Sequence, residues 1–369
     1  MVPPIVIILK NRATNILNTK TNFKKWWLSY DEKNLIPKKL EEMVEIYLST
    51  EDYASTSKYW RYLNIKNLSS IATEGIENYR RTVAKNYFLF LDYNEEMVSR
   101  LFNDLSYEKK DLKISIDEIY KKHEGLTLLE SVRHNTIVIA LYKAIIQLGL
   151  GQKLTQMREP PPHKYSFPSL NIDDQSVSQD SLASIVEWDF INKAIKLNDL
   201  SSVIEIGAGS GRTAACVLSI NPHLKYIIVD IPPALFVSHE ALSNTFPEKK
   251  IFICPLFSDF SQIEKAYNES DIVFMMPSQM ALIPKDSIDL FLAIDCLHEM
   301  LNGQIDYIFN QIDRLSRFFY MKGWKTTKIP FDNHTLAEDS YPYKNNWKPI
   351  NRAECIFPSN YFEIAFEIV

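Results

Sequence analysis

Residues 203–215 read VIEIGAGSGRTAA: an apolar run, three glycines at alternate positions, then a stretch of helix formers. The whole chain of 369 residues has only 9 glycines, so three within five positions reflect a local demand on the backbone. Between a strand and a helix, glycines allow a sharp turn and let a ligand approach main-chain atoms where a Cβ would collide. A dinucleotide loop needs G-x-G-x-x-G, with a pyrophosphate on the helix N-terminus. Here Gly207, Gly209 and Gly211 form G-x-G-x-G, and Arg212 stands where the third dinucleotide glycine would be. No Gly-Lys-Ser/Thr follows, which excludes a Walker A loop.

The chain around this loop changes character once. Up to about residue 157 it reads as helical. PKKLEEMVEIYLS (37–49), LSSIATEGIENYRRTVAKNYFLFL (68–91) and SVRHNTIVIALYKAIIQLGL (131–150) place apolar residues three and four apart. Ser70 or Thr73 is an expected early cap, and Gly149 or Gly151 an expected stop for the last of these helices. REPPPHKYSFPS (158–169) carries prolines that neither a helix interior nor a central strand accepts, so it reads as a connector. VSQDSLASIVEWDFINKAIKL (177–197) is one more amphipathic helix. Short β-branched runs then alternate with helix-length segments: SVIEI, KYIIVDI, KIFICP, DIVFMM, SIDLFLAID and RFFYMK. Such alternation predicts βαβ units and a mainly parallel sheet covered on both faces. The C-terminal YFEIAFEIV is strand-like and is expected to pair at or within that sheet. The predicted organisation is a mainly helical N-terminal domain (1–157), a Pro-rich connector (158–176) and a Rossmann-like, doubly wound α/β domain (177–369).

KYIIVD ends on Asp230, one strand after the glycine loop. A carboxylate at that place can accept two hydrogen bonds from ribose hydroxyls; a helix N-cap ahead of IPPALFVSHEAL is the plainer alternative. The compact E-x-G-x-G-x-G form resembles motif I of class I S-adenosylmethionine-dependent methyltransferases. The resemblance implies a cofactor without phosphates, with S-adenosylhomocysteine as product. Gly207, Ala208, Gly209 and Gly211 would give it backbone clearance, and Asp230 would take the ribose, with Ile231 beside it. Glu205, inside the first strand, would tether the loop or the bound amino group.

More of the chain resembles one branch. IIVDIPPALFVSHEALSNTFPEKKI, IVFMMPSQMALIPKDSIDLFLAIDCLHEM and FFYMKGW are similar to the sugar O-methyltransferase family of bacteria, as are EGIENYRR (74–81) and YPYKNNWKP (341–349). The similarity covers most of the chain after about residue 60. One departure is Ala208, where that family would carry a further glycine; alanine is common there in methyltransferases generally. On this resemblance DIVFMM is the third core strand. The loop Pro277-Ser278-Gln279 lies near the adenine, where Ser278 or Gln279 replaces the usual acidic contact; an ordinary turn is the alternative.

The fourth such strand delivers Asp295, followed by Cys296, Leu297, His298 and Glu299, to the carboxyl edge of the sheet, where open α/β sheets bind ligands. Methyl transfer to a sugar hydroxyl needs alignment and a base for the departing proton. His298 is the first candidate base and Glu299 the second, with Asp295 or Glu299 orienting the histidine. The plainer reading makes Glu299 a first-turn acid of the next helix. Asp295 and Glu299 could instead hold a divalent cation, but no other ligand cluster supports a metal site. Trp324, Tyr341, Tyr343 and Trp347 are candidates for an aromatic acceptor wall, with core packing as the alternative. Tyr79, Arg80 and Arg81 are candidates for a substrate-facing stripe on the N-terminal helix, against a solvated helix face.

Composition closes off other classes. A net charge of −5 and a pI near 5.9 argue against nucleic acid as the partner. PPIVIIL (3–9) is too short to span a bilayer and lacks the flanks of a signal peptide. Cys216, Cys254, Cys296 and Cys355 are widely spaced, which fits reduced thiols in a cytoplasmic protein. The expected partner is a small-molecule or glycan acceptor, without membrane insertion; a homodimer is left open. Two alternatives also stay open: a methyltransferase acting on another small metabolite, and a non-catalytic methyltransferase-like binding module.

Overall fold

The computed structural model describes residues 20–31, 36–76, 113–123, 126–159, 168–195, 200–329, 332–355 and 360–369. Among the described residues before 160 every regular element is a helix. The longer ones are α1 (Lys20–Asp31), α2 (Lys38–Ser49), α3 (Lys58–Glu74) and α4 (Leu128–Gln147). α2 matches the expected run. The helix expected over 68–91 instead begins at Lys58, where the Ser57 side chain accepts from the Trp60 amide, and its described part stops at Glu74 against Gly75 (φ 81°). Ser70 and Thr73 are therefore not caps; Thr73 donates its hydroxyl back to the Ser69 carbonyl inside the helix. In α4 a Thr127–Glu130 capping box sets the start. Gly149, at φ 74°, follows its end.

Part of the expected connector is ordered as a hairpin. β1 (Ser169–Ile172) pairs antiparallel with β2 (Gln175–Ser178) through Asp173 and Asp174, both at positive φ. The prolines stop short of it, and Leu170, Ile172 and Val177 are buried, so an apolar alternation within the proline-rich stretch decided the outcome. Helix α5 (Gln179–Ala194) follows directly, opened by a Ser178–Ser181 capping box.

The six expected β-branched runs are all strands: β3 (Ser202–Ile206), β4 (Lys225–Val229), β5 (Ile251–Ile253), β6 (Ile272–Met275), β7 (Ile288–Ile294) and β8 (Ser316–Trp324). A short hairpin, β9 (Thr326–Ile329) and β10 (His334–Ala337), comes next. β11 (Lys348–Glu354) and β12 (Tyr361–Glu367) complete an 8-stranded sheet in the order β11-β12-β8-β7-β3-β4-β6-β5. Pairing is parallel from β5 through to β8; β12 and β11 add antiparallel. β6 lies directly beside β4, in the third-core-strand position, and β5 is an extra edge strand outside it.

Both faces of the parallel part of the sheet are covered, which is why its strands read as continuous apolar runs, whereas the edge strand β11 is exposed and polar. Val203, Tyr226 and Ile228 pack in one cluster with helices α4, α5, α6 (Arg212–Ile220) and α7 (Ala234–Thr245). Ile204, Ile206, Ile227 and Val229 pack in another with Ile305, Ile308, Phe309 and Ile312 of α8 (Asn302–Leu315). Phe23, Trp27 and Tyr47 from the first helices share the cluster of Trp188 and Val203, so the first half and the sheet's cover have a common core. Among the described residues no helix is long and apolar enough to cross a membrane.

Candidate active site

β3 lies at the centre of the sheet, with β4 on one side and β7 on the other. The chain order reverses there, so the loops after β3 and β7 splay apart and leave a crevice at the carboxyl ends of the strands. The glycine loop fills one wall. Gly207, Gly209 and Gly211 adopt φ 69°, 59° and 79°, a left-handed region that other residues enter at a cost. At Gly207 space is a second reason. A Cβ there would stand 2.4 Å from the Cβ of Cys296 in the loop after β7. Cys296 Sγ donates to the Ile206 carbonyl at 3.1 Å, fastening the two loops together.

Asp230, at the end of β4, faces this loop. Its Oδ2 accepts the Gly209 amide at 2.8 Å and its Oδ1 the Ile231 amide at 2.7 Å. Burial pushes the carboxyl up to about 7 against the pull of those two bonds. Helix α7 begins only at Ala234, with Pro233 before it, so Asp230 is not its cap. Each carboxylate oxygen keeps a second lone pair for a ligand. Gly207, Ala208, Gly209, Asp230 and Ile231 all border one cavity of about 270 Å³. Gly211 does not; it starts α6 and packs on Ser238 and Leu242.

Glu205 borders the cavity, and its carboxylate accepts from the Tyr226 hydroxyl at 2.7 Å, which ties β3 to β4. Two expectations at this end need correction. Ser278 gives its amide and hydroxyl to Asp52 (2.8 and 2.7 Å). Gln279 is turned onto its own loop, accepting from the Met276 amide and donating to the Pro255 carbonyl. Both side chains are spent on protein groups, and Pro277 borders the cavity in their place.

At the far end the loop after β7 brings Asp295, His298 and Glu299 to the same cavity. Asp295 sits at φ 56°, a strained conformation for a non-glycine residue. Its Oδ2 lies 3.5 Å from Arg212, while Oδ1 is buried with no hydrogen-bond partner. His298 Nε2 is 3.8 Å from Glu299 Oε1, and the imidazole meets the rings of Trp324 and Tyr361 edge-on at 6.1 Å. Burial pushes His298 down to about 3. Burial pushes Glu299 up to about 8, opposed by a hydrogen bond from the Trp60 side chain and reinforced by the charge of Asp295.

Trp324 borders the cavity, and Tyr341 and Trp347 do not. Both belong to the aromatic core under α8, where Tyr341 stacks on Phe309 at 6.1 Å and Trp347 at 5.5 Å. The indole of Trp347 donates to Asp313. Tyr343 packs in the same group against Phe309. Their spacing marked a wall, but apolar burial beneath the sheet won. Tyr79, Arg80 and Arg81 lie outside the described residues.

Several cavity residues were missed by sequence reasoning. Thr56 and Trp60 come from the first half, and Asp180, Lys322 and Tyr361 from α5, β8 and β12. Arg212 was read only as a missing glycine, yet it forms a bidentate pair with Glu187. Lys322 joins the same carboxylate at 2.8 Å, and these two cations pull Glu187 down to about 2 despite its burial. Lys322 left one signal, a lone charge inside the apolar FFYM-GW run; Asp180 and Trp60 left none. Among the described residues no group of His, Cys, Asp and Glu could hold a metal ion, and the cysteines are free and buried.

No protein-family model matches the chain, and no curated protein matches it. Solved structures do. The PH0226 protein from Pyrococcus horikoshii OT3 is similar over 52% of this chain and 92% of its own, at 12% identity and a TM-score of 0.36. Mitomycin 7-O-methyltransferase MmcR is similar over 51% of this chain and 55% of its own, at 14% identity and 0.35. Human N-acetylserotonin methyltransferase, solved in complex with SAM, is similar over 51% and 53%, at 13% identity and 0.32. The aligned region spans about half the length of these last two chains.

Proposed function

We propose that the chain is an S-adenosylmethionine-dependent methyltransferase acting on a hydroxyl of a sugar or glycan precursor. The observation that carries this reading is the Asp230–Gly209 hydrogen bond at the switch point, beside a cavity that ends at Asp295, His298 and Glu299. The residues fit the cofactor. Asp230, at the end of the second core strand, keeps spare lone pairs that suit two ribose hydroxyls. The glycine loop offers open backbone, and Arg212, which stands where a third dinucleotide glycine would be, is engaged by Glu187. About 270 Å³ falls just below the roughly 300–1,000 Å³ of ligand sites.

Bound S-adenosylmethionine supplies an electrophilic methyl group; the chain's own residues place the acceptor and take its proton. Glu299 suits the base role better than His298. A group near 8 changes protonation close to the working pH, whereas a histidine near 3 stays neutral and is a weak base. His298, between Trp324 and Tyr361, then shapes the acceptor end. Sugar C–H faces pack against such rings while hydroxyls reach polar groups, and this chemistry with the motif resemblance supports a sugar acceptor. Thr56 and Trp60, from the described helical segments before residue 77, complete the border of the cavity.

Thermal shift with S-adenosylmethionine, S-adenosylhomocysteine and NAD tests the cofactor class. A ligand that binds the native state raises the melting temperature in proportion to its affinity and concentration. The two sulfur compounds should do so and NAD should not. Silence from both sulfur compounds defeats the proposal.

A further inference from the structure

Among the described residues Asp180 makes no ion pair and no close hydrogen bond. It lies in the first turn of α5, a position at which acids ordinarily stay in water and favour the helix dipole. The helix start is already satisfied by the Ser178–Ser181 capping box. Asp180 is instead buried to 8% exposure and borders the cavity beside Gly207, Ala208 and Gly209. Among the described residues its side chain has one hydrogen bond, a long 3.5 Å contact with Ser210 Oγ. No cation lies within ion-pair distance of it among the described residues. Arg212, whose charge acts on it, is engaged by Glu187 and Ser184. Glu159 and Glu187 also face it, and both act against its ionisation.

A buried carboxyl without a counter-ion either holds its proton or awaits a positive ligand. An ammonium group, with three donors, matches a carboxylate better than a hydroxyl or amide does. From these contacts we infer that Asp180 binds the α-ammonium group of the cofactor's amino-acid end, from a helix that precedes the glycine loop in the chain. The assignment rests on the cofactor reading above and adds a residue to it. Ser210, at the edge of the loop, steers the carboxylate.

Calorimetry on the full chain tests this with two ligands. S-adenosylhomocysteine carries the amino-acid end; 5′-methylthioadenosine keeps the adenosine and thioether without it. Asp180→Asn and Asp180→Ala should weaken S-adenosylhomocysteine on the order of 10–100-fold, as expected for losing a charged hydrogen bond. Affinity for 5′-methylthioadenosine should stay within about twofold. Unchanged S-adenosylhomocysteine affinity overturns the assignment, as does an equal loss for both ligands, which would mean a disturbed loop. Wild-type protein that binds neither compound defeats the cofactor reading itself, and this assignment with it.

Discussion

Arg212 closes on Glu187 through two hydrogen bonds, 2.6 and 3.0 Å, with Lys322 on the same carboxylate from the opposite strand. The three side chains come from α6, α5 and β8, so a single buried charge cluster fixes the helix after the glycine loop against the sheet. Glu187 is 3% exposed and Lys322 also 3%. Removing one partner leaves a buried charge unmatched, which costs about 3–5 kcal/mol. Glu187→Gln and Arg212→Ala should each lower the unfolding free energy, read from a denaturant titration, by that order. Arg212→Lys should recover only part of it, because lysine cannot make the forked pair. A change under about 0.5 kcal/mol, the usual size for surface substitutions, would contradict the cluster's role.

Asp230 presents a different case, in which stability and binding separate. Asp230→Asn keeps the shape but turns one acceptor into a donor facing a backbone amide. Cofactor affinity should fall roughly 10–100-fold, the usual range for a hydrogen bond to a charged group. The measurement is a titration calorimetry Kd for S-adenosylhomocysteine.

At the acceptor end the two candidate bases make opposite forecasts. With Glu299 as base, kcat/KM rises as pH passes through the region near 8, and Glu299→Gln loses about 10²–10⁴-fold. His298→Gln should then alter KM more than the pH profile, since an imidazole near 3 does not titrate in the working range. A profile whose rising limb disappears in His298→Gln and survives in Glu299→Gln reverses the assignment.

Stability should also depend on pH, through the same carboxyls. Asp180 and Glu299 sit near 8, Glu205 and Asp230 near 7, all raised by burial from ordinary values of 3.8 to 4.5. Between the ordinary and the raised value, the native state holds protons that the unfolded chain has released. Stability is then greatest below about 4 and is lost as pH climbs through 8. Glu187, lowered to about 2, and the buried histidines His298 and His134, lowered to about 3 and about 4, work in the other direction; the window of Glu187 lies below 4.5 and that of the histidines ends near 6.5, so the four carboxyls dominate above it. Melting temperature should fall from pH 5.5 to pH 8.5 in the free protein. A flat or rising curve would mean these groups are ionised in the native state.

Gly207→Ala places a methyl group at φ 69° and 2.4 Å from the Cβ of Cys296. The left-handed backbone alone costs about 1–3 kcal/mol. Cys296→Ala would not relieve the contact, because the clash is with the Cβ that alanine keeps. Thermal denaturation of the single and double variants reads this directly.

Much of the sheet was legible, because strands buried on both faces write themselves as apolar runs and helices as three-four spacings. The glycine loop and Asp230 were legible too, since left-handed turns and strand-end carboxylates need particular residue types. The side chains that converge from distant segments were not. Asp180, Trp60 and Tyr361 lie far apart in sequence and meet only because β12 inserts between β8 and β11 and α3 lies across the crevice. Ser278 and Gln279 illustrate the converse. Their position after the third core strand was right, but local hydrogen bonds claimed both side chains. Trp347 and Tyr341 misled because an aromatic cluster looks the same in sequence whether it faces a ligand or Phe309.

Asp52 joins the first half to the loop after β6 through both the amide and the hydroxyl of Ser278, and four residues later Thr56 begins the edge of the cavity. Two contacts therefore tie the segment from Thr56 to Trp60 to the carboxyl edge of the sheet, Asp52 on Ser278 and Trp60 on Glu299. A shift of Asp52 would disturb the loop that carries Pro277, so two borders of one cavity are mechanically coupled. A chain trimmed to the sheet alone would keep the glycine loop and Asp230 while losing that coordination, and its cavity would stand open as a trough.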